Sequence, residues 1–254
     1  MHKKNYLTRE EQFIWDYIKE KKVIDSDLIE IIFPEIDKNK KNKLLHSLYK
    51  KGYLKRIQKD LYYNPLLIDH FYELALQIHE GYIGLSSALK YYNLLDYEDF
   101  TIFIITENYR RKISLENYQI QFIPFNELYY GFEKKDELYI SSIEKTLFDC
   151  LIKPSMVGFS NITKAIYNAD IDWKKFLFFY KKTNNYALYQ RTGYLLNIMQ
   201  KNTDFKVPKF FLDHMKKRVN KRVKISSKGK KSTFNNEWKI QDNIGVENIL
   251  DWWY

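Results

Sequence analysis

Between Lys38 and Lys59 the chain carries Lys38, Lys40, Lys41, Lys43, Lys50, Lys51, Lys55, Arg56 and Lys59, and not one Asp or Glu. The chemistry open to such a stretch is polyanion binding, because Lys and Arg neutralise phosphates and release their counterions. Asn39, His46 and Ser47 lie among the cations and can exchange hydrogen bonds with base edges, so the lysines would position a duplex and these three would read it. At 100° per residue on a helix, Leu44, Leu45, Leu48 and Tyr49 share one side while Asn39, Lys43, His46, Ser47 and Lys50 occupy the other. A merely solvated helix mixes both signs, since opposite charges at i,i+4 attract and like charges repel. Lysines in the first turn also oppose the helix dipole, at about 0.3–1 kcal/mol each when exposed, a repulsion that DNA phosphates would relieve. The competing reading is a plain basic surface helix.

A second carboxylate-free stretch holds Lys216, Lys217, Arg218, Lys221, Arg222, Lys224, Lys228, Lys230 and Lys231. Its "SSKGKKS" is linker-like, so a solvated link is one reading. The other is a second basic site that extends the DNA track or meets an RNA or an acidic partner.

Residue patterns for catalysis are weaker. Glu133-Lys134-Lys135, after a strand carboxylate at Asp99, matches part of a metal-dependent nuclease signature, but Glu20-Lys21-Lys22 matches it equally. His2, His46, His70, His79 and His214 show no metal-ligand spacing with the single Cys150. "GKKS" at 229–232 lacks the upstream glycine of a phosphate-binding loop. No catalytic residue, metal or cofactor is expected, and Cys150 reads as a small buried hydrophobe.

These side chains need elements to hold them. Thr8 with Glu11 forms a capping box for a first helix through Phe13, Ile14, Tyr17 and Ile18. Asp25 or Ser26 caps a second, with Leu28, Ile29, Ile32 and Phe33, that stops near Pro34. Asp37 caps the third, the lysine-rich one, and Gly52 ends it. "YLKRI" and "LYYNP" then read as two strands around a short turn. Helix, helix, helix, hairpin is the order of a winged helix-turn-helix, placed at residues 1–70, with Lys55, Arg56 and Lys59 on the wing.

Residues 71–254 are expected to form a larger mixed α/β domain, so the fold class is α+β. Leu66, Leu67, Phe71, Leu74, Ala75 and Ile78 make a connecting helix. Ser86/Ser87 cap another helix, "FTIFIIT", "YQIQFIPF" and "ELYIS" form a small sheet, and Ser141 with Glu144 caps "IEKTLFDCLI". The C-terminal half is helical to about residue 223, with Asp172 as a cap, a stripe from Tyr186 to Met199, and Pro208 in the first turn of "KFFLDHMKKRV". "STFNNEWKIQDNIG" is a hairpin on which Trp238 packs, and the terminal "DWWY" docks on the body.

Apolar content of 45% excludes a disordered chain, and a formal charge of +10 favours a polyanionic partner. One cysteine permits no intrachain disulfide. The charged start "MHKKNYLTREEQ" and the lack of a long apolar run give the expectation of a cytoplasmic protein without a membrane partner. Monomer and dimer are both open.

The winged-helix ending "KGYLKRIQKDLYYNP", then "YIGLSSALKYYNLL", "TIFIIT" and "ISSIEKTLFDCLIKPSMVGF", together resemble the AbiEi family of antitoxins and transcriptional regulators over nearly the whole chain. Lys59-Asp60 at the wing turn, where the family commonly has glycine, and Gly158 alone, where a pair is usual, are departures. The resemblance implies the antitoxin of a type IV toxin-antitoxin pair, with a nucleotidyltransferase toxin as partner. It also implies repression of its own operon through double-stranded operator DNA bound by the winged helix. A plain transcription factor without a toxin, or a metal-dependent nuclease with a DNA-binding arm, are the alternatives.

Overall fold

The structure, a computed structural model, describes residues 6–96, 100–227 and 233–254. The fold is α+β, and the chain forms two compact units. The first draws on residues up to Ile83 together with Phe100–Tyr130 and Lys134–Tyr139; the second on Gly84–Asp99, Gly131–Glu133 and Ile140–Tyr254.

The first unit begins α1 (Arg9–Ile18), β1 (Val23–Asp25), α2 (Ser26–Ile32), α3 (Lys38–Lys50), β2 (Lys55–Gln58) and β3 (Leu61–Tyr63). The expected caps form. Thr8 Oγ1 accepts from Glu11 N while Thr8 N donates to the Glu11 carboxylate, Asp25 accepts from Leu28 N, and Asp37 accepts from Asn39 N and Lys40 N. These satisfy amides that the first turn leaves without a helical partner. At the far end of α3, Gly52 has φ +81. Gly52 N donates to Tyr49 O and Tyr53 N to Leu48 O, a Schellman closure that needs the left-handed conformation glycine adopts without strain.

A core of Ile14, Ile18, Ile24, Ile29, Phe33, Leu45, Leu48, Leu54 and Tyr62 holds the three helices on a three-stranded antiparallel sheet of order β1-β3-β2. Burying each such side chain stabilises by about 1.5–3 kcal/mol. β2 pairs Lys55 with Tyr63 and Arg56 with Tyr62, with a register shift before Gln58↔Leu61. The turn residue Asp60 has φ +59. The strand β1, missing from the sequence reading, uses Ile24 as its one fully buried residue.

Downstream come α4 (Phe71–Ile78), β4 (Tyr82–Ile83), β5 (Thr101–Thr106), β6 (Arg111–Leu115), β7 (Tyr118–Pro124), β8 (Phe132–Lys135) and β9 (Leu138–Ser141). The sheet is mixed and six-stranded, in the order β6-β7-β5-β4-β9-β8. Its β5 and β7 pair in parallel over six residues, from Thr101↔Gln119 to Thr106↔Pro124.

The second unit contains α5 (Leu85–Tyr91), α6 (Ile143–Ile152), α7 (Pro154–Val157), α8 (Phe159–Asn168), α9 (Trp173–Lys181), α10 (Tyr186–Asn202) and α11 (Lys209–Lys216). It closes with β10 (Val223–Lys224), β11 (Thr233–Asn235), β12 (Ile240–Asp242) and α12 (Val246–Ile249). Helix α6 is buried from Glu144 to Leu151, and Lys145 pairs with Asp149 one turn on, both with no exposed surface. Burial pushes the Lys145 amine down, and Asp149 opposes that. Cys150 is buried, and Trp238 packs over Gly193.

Several local expectations are corrected. Ser86 and Ser87 lie inside α5 and are buried; the residue before its first turn is Gly84. Ser142, not Ser141, caps α6, because Ser141 is the last residue of β9 and its hydroxyl meets Thr146 Oγ1 at 2.7 Å. Pro208 is the N-cap of α11, which ends at Lys216 instead of running on to Val219. Helices α7 and α8 lie in the half expected to be helical, with bounds that the sequence reading did not mark.

Candidate nucleic-acid interface

Helix α3 turns Lys41, Leu45 and Leu48 into the core, so the axis of burial passes between the rows of Leu44 and Tyr49 as the leucine spacing requires. Opposite that axis Asn39, Lys43, His46 and Lys50 are exposed, and Lys38 and Lys40 are exposed on the flanks. The ring of His46 lies 5.8 Å from that of Tyr49, which is itself 39% exposed and 6.4 Å from Tyr62. Tyr49 thus belongs to the rim of this face. Sequence reasoning assigned it to the core because an aromatic ring at the end of a leucine stripe has the same spacing as a buried one.

Ser47 and Lys51 are placed differently. Both are half-buried on the side of α3 that faces α1, where they converge on Glu11. Ser47 Oγ donates to Glu11 Oε1 at 2.5 Å and Lys51 Nζ to Oε2 at 2.5 Å. Burial alone would raise the Glu11 carboxyl, but the hydrogen bonds from Lys51, Ser47 and Thr8 outweigh it and lower it to about 2. The Ser47 hydroxyl is therefore engaged within the fold, against the expectation that it faces a groove.

Other carboxylates meet the remaining lysines of the cluster. Lys40 Nζ donates to Glu10 Oε1 at 2.6 Å, and Lys38 lies 3.6 Å from Glu30. Lys55 pairs with Glu116, which also accepts from the Tyr63 hydroxyl at 3.1 Å. The Lys55 hydrogen bond comes first among the causes that hold the Glu116 carboxyl low. Arg56 Nε bonds Gln58 O at 3.1 Å, which sets its guanidinium along the exposed side of β2. Lys59 is exposed at the turn. Among the described residues no Asp or Glu pairs with Lys43, Lys50, Arg56 or Lys59. The carboxylate-free ridge of the linear sequence thus contracts to these four cations with Asn39 and His46.

Such a face can do one thing well. Long cations on a fixed scaffold, with an amide and an imidazole between them, suit a repeating phosphate backbone and polar base edges. No model of a known protein family matches the chain, and no curated protein does.

Of the second cluster, Lys217, Arg218, Lys221, Arg222 and Lys224 are exposed in the second unit. Lys216 is half-buried, 3.2 Å from Glu237 and 4.8 Å from the Trp238 ring centre. Lys228, Lys230 and Lys231 lie outside the described residues, as do Asp99 and His2. Among the described residues, no three His, Cys, Asp or Glu side chains converge as metal ligands, and no helix is long and apolar enough to cross a membrane.

Proposed function

We propose that this chain is a DNA-binding transcriptional regulator whose first unit works as a winged helix-turn-helix. In this reading α3 enters the major groove, Asn39 and His46 read base edges, Lys43 and Lys50 contact phosphates, and the β2–β3 wing rests Arg56 and Lys59 on the backbone. The observation that carries it is the exposure of Lys43, Lys50, Arg56 and Lys59, with no carboxylate partner among the described residues, on a helix and a hairpin packed on one core. Lys38, Lys40, Lys51 and Lys55 stay with their acidic neighbours and add little to binding. The likeness to AbiEi proteins extends the proposal to an autorepressing antitoxin in the cytoplasm that counteracts a nucleotidyltransferase toxin and has no enzymatic activity of its own.

Electrophoretic shift with duplex from immediately upstream of its own gene tests the DNA reading. Tight binding that random duplex of equal length does not compete away supports it; equal binding to both sinks the operator reading. Co-expression with a neighbouring nucleotidyltransferase gene tests the rest: rescue of growth separates an antitoxin from a plain transcription factor.

A further inference from the structure

The segment that joins α11 to β10 in the second unit, Lys217–Arg222, is held as a strap by its own carbonyls. The buried Gln190 side chain donates to Lys221 O at 2.8 Å and to Trp238 O at 3.0 Å, and Lys239 Nζ donates to Asn220 O at 3.0 Å. Just beyond, Arg191 Nε donates to Lys224 O at 2.9 Å, and Val223 N to Lys239 O. Gln190 has no exposed surface, so its amide ties the strap to the interior, while the Lys239 and Arg191 bonds lie at the surface. A polar side chain spent inside the protein on two main-chain carbonyls orders a segment that sequence alone reads as a solvated link.

What the strap presents is a row of cations with aromatic rings between them. Lys217, Arg218, Lys221, Arg222 and Lys224 are exposed, and among the described residues no Asp or Glu pairs with any of them. Glu237, in the turn of the β11–β12 hairpin, is engaged by Lys216 at 3.2 Å and Lys201 at 3.6 Å. The Arg218 guanidinium lies 5.8 Å from the ring centre of Tyr186 and 5.6 Å from that of Tyr189, and Arg222 lies 4.8 Å from that of Phe234. Tyr186 is 41% and Phe234 43% exposed, although both are anchored by these arginines. The local field is positive enough to be felt inside the unit: burial first, then Lys181, Arg218 and Lys217, push the His214 imidazole down.

We infer that this face of the second unit is a binding site for single-stranded nucleic acid, with the strap cations on phosphates and Tyr186 and Phe234 as stacking platforms for bases. Cations alone would suit any polyanion. Exposed rings beside arginines add a requirement for flat, unstacked partners, which a duplex withholds and a single strand offers. An anionic membrane would also attract the charge. Insertion of the rings would, however, drag their arginines out of water, whereas stacking on the open ring face leaves the guanidinium contacts in place. The inference is independent of the DNA role given to the first unit.

The test uses the full chain and labelled oligouridine and oligothymidine of about 16 nucleotides, a duplex of the same length, and phosphatidylserine vesicles. If all five strap cations engage, log affinity for the single strands falls against log salt with a slope of about −3.5. Arg218→Gln with Arg222→Gln brings the slope to about −2.1. Tyr186→Ser with Phe234→Ser, both surface changes, weakens binding by about 30-fold or more at unchanged slope. Tighter binding of oligouridine identifies RNA as the ligand, and equal binding identifies base and phosphate alone; either supports the site. The inference is overturned if the arginine variant, folded by circular dichroism, holds single strands as well as the wild type, if duplex binding falls in parallel with single-strand binding, or if vesicles bind and oligonucleotides do not.

Discussion

Replacing Lys43 and Lys50 together by glutamine tests the duplex reading where it is most quantitative. Both are exposed on α3, both lack a carboxylate partner among the described residues, and neither contributes to the core. Four such cations, with Arg56 and Lys59, give a slope of log affinity on log salt of about −3.6 for duplex DNA, or a loss of about 150-fold between about 50 and 200 mM salt. With two removed the slope becomes about −1.8 and the same salt step costs about 12-fold. Fluorescence anisotropy on a labelled duplex across that range reads both numbers, and thermal unfolding should be unchanged because surface substitutions of this kind stay within about 0.5 kcal/mol. A slope that is the same in the variant and the wild type would refute the assignment. A wild-type slope near −7 would show instead that Lys38, Lys40, Lys51 and Lys55 leave their acidic partners on binding.

Three further outcomes follow from the packing. Glu11→Gln should destabilise the chain at neutral pH by about 1–3 kcal/mol, after allowance for screening around the partly exposed Lys51. Because the folded carboxyl is depressed from 4.5 to about 2, that difference is full above pH 4.5 and fades as pH falls toward 2, which urea unfolding at several pH values would show. Asp149→Ala leaves the Lys145 ammonium without this partner in a site of no exposure and should cost about 3–5 kcal/mol, whereas Lys145→Met with Asp149→Leu should recover most of it in the same unfolding assay. At Gly193 an added Cβ would come within 2.0 Å of the Trp238 ring, so Gly193→Ala should cost about 1–3 kcal/mol and shift tryptophan emission to the red.

Where a local signal was strong the sequence was readable. Thr8, Asp25, Asp37 and Asp172 each cap the helix expected of them, because an N-cap needs one side-chain oxygen and amides two or three residues away. Trp238 packs where expected, and the hairpin forms with Thr233 opposite Asp242, although its turn is residues 236–239 and Asn235, expected in the turn, ends β11 opposite Ile240. Three short strands were not readable. β1, β4 and β10 have two or three residues and, unlike the equally short β3, β11 and β12, no hairpin turn ties them to their partner, so each exists because a distant strand is in place. The helix α8 did carry a signal: Ile162, Ala165 and Ile166 are all buried at helical spacing after Gly158, whose φ is +91. At the candidate site the helix and its polar face were legible, but the acids were not. Glu10 reaches Lys40 across 30 residues, Glu11 reaches Ser47 and Lys51 across 36 and 40, and Glu116 reaches Lys55 across 61. A charge count along the chain cannot contain those partners.

That long-range pairing changes what a lysine-rich helix is for. If every cation between Lys38 and Lys59 were unpaired, their mutual repulsion would work against the three-helix core that has to hold them. The fold separates the two demands by angle around α3. On the flank toward α1, Glu10 and Glu11 neutralise Lys40 and Lys51 and tie Ser47 down, so charge there serves cohesion. On the outer face Lys43 and Lys50 keep their charge without a carboxylate partner among the described residues, and the cost of keeping it is low because water surrounds them. Ser47 and Lys50 are three residues apart in sequence and on the same half of the helix, yet only one is available. The difference is made by Glu11, which the capping box of α1 fixes at the third position of its own helix and points toward α3.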